Sequence, residues 1–331
     1  MKKILNELFE HKKLNKESAR EVLINISRNQ YNDAQIAAFI SVYLMRTISV
    51  EELEGFRSAL LELCLTVDLE ERDTIDLCGT GGDGKNTFNI STLASLVVAG
   101  AGYMVAKHGN YGVSSACGSS NVLEYLGYQF TNNSYILKKQ IDQAHICFFH
   151  APLFHPALKG VGPIRKQLGV KTFFNMLGPL VNPAQPYRQV VGVFSFNLAR
   201  LYQYLYEKLD KEYIILHGVD GYDEVSLTAP VKLIKKACEM LETPAYFGMP
   251  VYSAEEIFGG NTIEEAATTF IKVLDGKGTN AQNDVVIANA ALGIQCFHPG
   301  TSIEDCLYEA RESLFSGRAR QTLRKLLEIQ P

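Results

Sequence analysis

The chain has little that would tie it to a membrane, to nucleic acid or to an oxidising compartment. Its seven cysteines (Cys64, Cys78, Cys117, Cys147, Cys238, Cys296 and Cys306) are odd in number and form no C-x-x-C pair. That argues against a disulfide framework or a zinc site, and for reduced, buried thiols. No stretch reaches transmembrane length free of polar residues. The first residues, MKKILNELFEHKK, alternate charge with apolar side chains and hold no long apolar core, so no signal peptide is expected and the cytoplasm is the expected compartment. Neither sign of charge predominates: 32 Lys and Arg stand against 36 Asp and Glu, a net charge of −4. Nothing in that total favours nucleic acid or an anionic membrane surface. Low-complexity segments and internal repeats are absent. There is no G-x-x-x-x-G-K-[ST], so a Walker phosphate loop is excluded.

What is present is a chain of 331 residues with 47% hydrophobic side chains, long enough for two domains or one large α/β core. Residues 1–66 read as helices with apolar positions at i, i+3, i+4 spacing. Asn15 is placed to cap the second. Asn32 with Gln35 starts the third, and Ser49 with Glu52 forms a capping box for the fourth. The third carries Ala37-Ala38-Phe39-Ile40 in succession, which fits either core or a subunit interface. From Arg72 onward, buried strand patterns alternate with helices, which predicts a mostly parallel, covered sheet. The expectation is an α/β protein: a small all-helical domain (1–66, with part of 154–182 packing on it) and a larger α/β domain (72–331) whose central sheet is flanked by helices.

Residues 76–127 hold the densest signal. A β-prone run, Thr74-Ile75-Asp76-Leu77, leads into Cys78-Gly79-Thr80-Gly81-Gly82-Asp83-Gly84. Asn89-Ile90-Ser91-Thr92 then precedes an apolar run. A strand, a glycine loop and a helix N-terminus together favour an anion, because free N–H groups and the helix dipole both point at it. The letters fit G-x-G-x-x-G, but the third glycine does not open the helix, so a dinucleotide site is not indicated. A second turn follows the strand pattern at residues 103–105. It runs Lys107-His108-Gly109-Asn110, then Ser114, Ser115, Gly118, Ser119 and Ser120, ahead of a short helix at about 121–126 stopped by Gly127. Two such turns suggest two phosphate groups or one polyphosphate, with Lys107 as a point charge. Further on, Arg165 lies among short helices limited by Pro156 and Pro163, and Asp223-Glu224 follows a strand pattern and Gly221. Adjacent carboxylates outside regular structure can hold magnesium together with waters and phosphates. The plainer readings are an ordinary glycine turn, solvated loops around Lys107, His108 and Asp223-Glu224, and a surface arginine at Arg165.

GTGGDG followed by FNIST, KHGN and GS-x-x-VLE-x-LG resembles the anthranilate phosphoribosyltransferases. The resemblance continues through His155-Pro156-Ala157-Leu158-Lys159 to Arg165. It then takes in the run Phe174-Asn175-Met176-Leu177-Gly178-Pro179-Leu180-Val181-Asn182-Pro183 and ends with Gly218-Val219-Asp220-Gly221-Tyr222-Asp223-Glu224. It implies transfer of a phosphoribosyl group from 5-phosphoribosyl 1-pyrophosphate (PRPP) to the amino group of anthranilate, in tryptophan biosynthesis. By that resemblance Gly79, Gly82, Asp83, Thr87, Asn89, Ile90, Ser91, Thr92, Lys107, Ser115 and Ser119 contact the donor. His108 lines the site, Asn110 and Arg165 face anthranilate, and Asp223 and Glu224 with Ser91 hold Mg2+, two ions per subunit. It also implies a homodimer formed through the small helical domain, with no nucleic-acid or membrane partner. No acid/base dyad stands out and no catalytic side chain is assigned; electrostatic catalysis is expected. Two positions depart from the family: Tyr111 stands where arginine is common, and Ala116 where lysine is common. Both remove a cation from a loop that meets a polyanion. The rival readings are a pyrimidine nucleoside phosphorylase, which shares KHGN-like residues, and a non-catalytic relative that binds nucleic acid.

Overall fold

The computed structural model describes residues 1–112 and 116–331, so Ser115 and its neighbour Ser114 lie outside the described residues. The chain divides into two units, Met1–Val67 with Ala151–Pro183, and Asp68–His150 with Ala184–Pro331.

The smaller unit is helical. Its first four helices are Lys2–Phe9, Lys16–Ser27, Asp33–Met45 and Val50–Glu62. Their caps are the ones that the spacing predicts. Asn15 accepts from the Ser18 N–H, and reciprocal boxes join Asn32 to Gln35 and Ser49 to Glu52. Phe39, Tyr43, Phe56 and Phe173 form an aromatic centre, with Phe56 stacked on Phe173 at 4.7 Å. Glu52 is more than a cap. Fully buried, it accepts from the Leu14 and Ser49 N–H groups, the Tyr43 hydroxyl and the Arg46 guanidinium. Burial pushes its carboxyl up, but the Arg46 hydrogen bond and the two amides outweigh that and hold it below the usual range.

The larger unit is built on a seven-stranded sheet: β1 Thr74–Gly79, β2 Met104–Gly109, β3 Ile146–His150, β4 Arg188–Gly192, β5 Glu212–Gly218, β6 Val231–Lys235 and β7 Glu239–Glu242. The spatial order is β3-β2-β1-β4-β5-β6-β7. Strands β1 to β5 pair in parallel, while β6 and β7 extend the edge antiparallel. The buried helix Asn280–Phe297 packs against β4, β5 and the helix Ile90–Gly100. Gly293 permits that contact, since a Cβ there would lie 2.9 Å from both Leu77 and Val98. The chain leaves β1 in one direction to β2 and β3, and later in the other to β4 and β5. The β1/β4 junction is therefore the topological switch point, where ligands of such sheets bind at the carboxyl ends of the strands. Among the described residues no helix is long and apolar enough to cross a membrane.

Candidate active site

At the carboxyl ends of β1 and β4 each strand stops on a glycine, Gly79 and Gly192. The turn after β5 folds back over both. A Cβ on Gly192 would lie 1.5 Å from the Asp223 carbonyl oxygen, and one on Gly79 would lie 2.5 Å from Asp223 Oδ2. Only glycine leaves that turn its seat. Asp223 Oδ2 then accepts the Gly81 N–H at 2.7 Å, which locks the turn to the glycine loop. Glu224 is half-buried beside it. Its Oε1 accepts the Ser91 N–H at 3.0 Å and its Oε2 the Thr87 hydroxyl at 3.1 Å.

The glycine loop follows β1 directly. Gly81, Gly82 and Gly84 all take positive φ, which makes the tight turn. Asp83 faces the same space, and its Oδ1 accepts the Lys85 N–H at 3.1 Å. Three carboxylates thus converge. Burial, and next the negative charge of Asp83, push the Asp223 carboxyl up; burial, Asp223 and Asp83 do the same to Glu224. Neither Asp223 nor Glu224 makes an ion pair among the described residues. Nor, among them, does any group of three or more His, Cys, Asp and Glu side chains form a ready-made metal cage. Two uncompensated carboxylates held by N–H and O–H donors suit a hard divalent cation that brings its other ligands with it.

The neighbouring residues correct two expectations. Lys107 and His108 are not on a loop after β2. They are the two strand residues before its last, Gly109, and both are buried. The strand pattern continues because Ala106 and His108 pair into the sheet against β3. Lys107 is 1% exposed, and its Nζ donates to the Leu77 carbonyl at 2.5 Å and reaches Ser91 Oγ at 3.4 Å. Burial pushes its ammonium down, partly offset by Asp76, Cys78 and Glu224. It meets the site from beneath, through Ser91. The His108 N–H donates to Asp76 Oδ1 at 3.1 Å. The second correction concerns the helix Ile90–Gly100. Asn89 is its N-cap residue, but the side chain makes no cap hydrogen bond; Nδ2 donates to the Cys117 carbonyl at 3.0 Å instead. The Ser91 amide serves Glu224, and the Thr92 and Leu93 amides return to the Asn89 carbonyl. The helix end therefore anchors a carboxylate rather than presenting three free N–H groups. Ile90 is wholly buried in the core, so only its backbone can face a ligand. Thr80 Oγ1, Asn89 Oδ1 and Thr92 Oγ1 are buried without a hydrogen-bond partner among the described residues.

On the adjoining loop Asn110 is exposed, and its carbonyl accepts the Ser119 hydroxyl at 3.2 Å. Gly109 leaves the room, for a Cβ there would lie 2.4 Å from Ser119 Oγ. The short helix begins at Ser119, two residues earlier than its pattern suggests, because Asn121 Oδ1 accepts from Gly118 and Gly112 and fixes the entry. Tyr111 packs edge-on against His150 at 4.8 Å, and its hydroxyl donates to Glu124 at 3.4 Å. Arg165 belongs to the other unit. There it sits on the helix Gly162–Leu168, its Nη2 donates to Asn175 Oδ1 at 3.2 Å, and its guanidinium lies 5.3 Å over the Phe174 ring. Burial lowers its pKa from the ordinary value.

Gly192 and Asn86 are missing from the sequence-based set. For Gly192 no local signal existed: it lies inside the apolar run at residues 190–194, and only the structure ends the strand on it. Asn86 is a polar loop residue that nothing local distinguishes.

The chain matches two family models, the helical bundle domain of a glycosyl transferase family over residues 2–64 and its a/b domain over residues 71–320. Over 329 residues it is 58% identical to an anthranilate phosphoribosyltransferase of Flavobacterium johnsoniae, covering 99% of both chains. Among solved structures it superposes on the anthranilate phosphoribosyltransferase of Thermus thermophilus with a TM-score of 0.91 at 31% identity, covering 98% of each chain. It superposes equally, TM-score 0.91 at 27% identity over 98% of this chain and 96% of the other, on the Saccharomyces cerevisiae enzyme in complex with PRPP and Mg.

Proposed function

Because the chain belongs to the anthranilate phosphoribosyltransferase family, we propose that the β1/β4 switch point is where it transfers the phosphoribosyl group of PRPP to the amino group of anthranilate. The products are N-(5-phosphoribosyl)anthranilate and pyrophosphate, in tryptophan biosynthesis. One observation carries the assignment of the site: Asp223 is seated over two strand-end glycines and tied to the glycine loop by the Gly81 N–H.

In this reading Asp223 and Glu224, with Ser91, hold Mg2+, two ions per subunit. Magnesium when bound supplies positive charge to the departing pyrophosphate. The chain's own residues do the rest. Gly79, Gly82, Asp83, Thr87, Asn89, Ser91, Thr92 and Ser119 line the donor, and the Thr80, Asn89 and Thr92 side-chain oxygens, without a partner among the described residues, support that lining. Lys107 fixes Ser91 from below. Charge develops on the sugar and on the leaving group, so fixed dipoles and charges suffice. An aniline-type amine is neutral at pH 7 and needs no strong base. Asn110 and Arg165 serve anthranilate, Arg165 offering a planar fork to its carboxylate. His108 lines the same site. The two units would act as the helical and donor-binding domains of a cytoplasmic homodimer paired through the helical one, where Leu44 and Met45 stand exposed at the end of the helix Asp33–Met45. The test is stoichiometry: one pyrophosphate released per anthranilate consumed, abolished by chelating magnesium. Release without consumption would contradict the acceptor assignment, and a monomer mass by light scattering would contradict the dimer.

A further inference from the structure

Asn86 takes a left-handed φ of +48° in the middle of the donor loop. Its side chain works in two directions at once. Oδ1 accepts the Ala116 N–H at 3.2 Å, and Nδ2 donates to the Gly260 carbonyl at 2.8 Å. Its own carbonyl accepts the Gly259 N–H at 2.8 Å. The next residue, Thr87, forms an antiparallel bridge with Phe258. The approach is so close that a Cβ on Gly259 would lie 2.5 Å from the Thr87 carbonyl carbon. The 258–260 segment is itself fixed to the helix Ile263–Leu274: the Asn261 N–H donates to Glu265 Oε2 at 2.7 Å, and Ala266, Ala267 and Phe270 of that helix are core residues. On the far side Asn89 Nδ2 holds the Cys117 carbonyl, so residues 116–117 are gripped from the glycine loop at two consecutive positions.

We propose that Asn86 is a positioning residue for the phosphoribosyl donor, a junction that aligns the glycine loop with residues 116–117 and anchors both to the helix Ile263–Leu274, whose inner face is core. The inference rests on the donor site proposed above and extends it to the segment 258–260. The residue type follows from the demands. The position needs a donor and an acceptor on one short side chain, on a backbone in the left-handed region that asparagine tolerates better than most residues. Aspartate keeps the acceptor and loses the donor. Glycine keeps only the backbone.

The test uses the full-length protein and titrates PRPP with magnesium by calorimetry in wild type, Asn86→Gly and Asn86→Asp, with anthranilate KM and thermal midpoint measured alongside. Losing two hydrogen bonds that align the donor loops should weaken PRPP binding about tenfold in Asn86→Gly. The anthranilate KM should stay within about twofold, with the Tm nearly unmoved. Asn86→Asp should recover part of the loss. Unchanged PRPP affinity in Asn86→Gly would overturn the proposal. So would a parallel loss of donor affinity, acceptor KM and Tm, which marks a residue that merely supports the fold. Should the glycine variant not fold, Asn86→Asp decides alone, with about threefold weaker donor binding expected and wild-type binding overturning it. A wild type that binds PRPP without consuming anthranilate refutes the acceptor reading, and the PRPP titrations still decide the role of Asn86. A wild type that binds no PRPP refutes both.

Discussion

Replacing Gly192 by alanine tests the seat of Asp223 without removing any polar atom. The added methyl would lie 1.5 Å from the Asp223 carbonyl oxygen and 2.5 Å from its carbonyl carbon. Ordinary contact begins near about 3.5 Å, so the turn must move by about 2 Å. The Asp223 hydrogen bond to the Gly81 amide, now 2.7 Å, cannot survive that displacement. Overpacking of this kind destabilises by about 1–3 kcal/mol, and the lost charge-assisted bond removes about 1.5–3 kcal/mol more of local order. For catalysis, misplacement of a charged group by about 1 Å is worth about 100-fold. Gly192→Ala should therefore fold with a lowered Tm and lose at least about 100-fold in kcat/KM. Gly300→Ala is the control, because a Cβ there meets nothing within 4 Å. The assay is steady-state consumption of anthranilate, with thermal unfolding of both variants. A Gly192→Ala enzyme within about threefold of wild type would refute the argument that the strand-end glycines position the carboxylate.

Two further outcomes concern stability. Glu52→Ala leaves Arg46 and three other donors facing a void and should cost about 3–5 kcal/mol, read from denaturant unfolding. The Glu52 carboxyl is depressed in the folded state, so its contribution is complete above the ordinary value of 4.5 and is lost as pH falls below it; the variant's deficit should shrink in acid. For Asp223 and Glu224 the sign reverses. Their folded carboxyls are raised, so the metal-free protein loses stability as pH climbs above their unfolded values. In chelator, Asp223→Asn/Glu224→Gln should melt above wild type at pH 8 and lose that advantage at pH 5; equal midpoints at both would contradict the carboxylate strain.

Local features were legible before the fold was known. The capping pairs at Asn32 and Ser49, the glycine turn at residues 79–84 and the stop at Gly127 (φ +93°) depend on neighbours within a few residues. The Asp223-Glu224 pair was legible only as adjacent carboxylates and took its weight from the resemblance, because its partners lie on a glycine loop and helix start about 140 residues away in sequence. Gly192, Asn86 and the buried half of Glu52's role were not read at all. Each is defined by a contact that the topology creates: a turn crossing a strand end, an asparagine reaching residue 260, a helix cap closing over Leu14. The extent of β2 was misjudged for the same reason. Lys107 reads as a solvated cation by type, and only the sheet's depth shows it buried.

The most direct measurement is the rate of loss of anthranilate fluorescence on mixing with PRPP and magnesium, in wild type and in Asp223→Asn/Glu224→Gln. The account predicts magnesium-dependent turnover in the wild type and a fall of at least about 100-fold in the double variant. Equal rates in the two proteins would contradict the claim that this carboxylate pair at the switch point carries the chemistry.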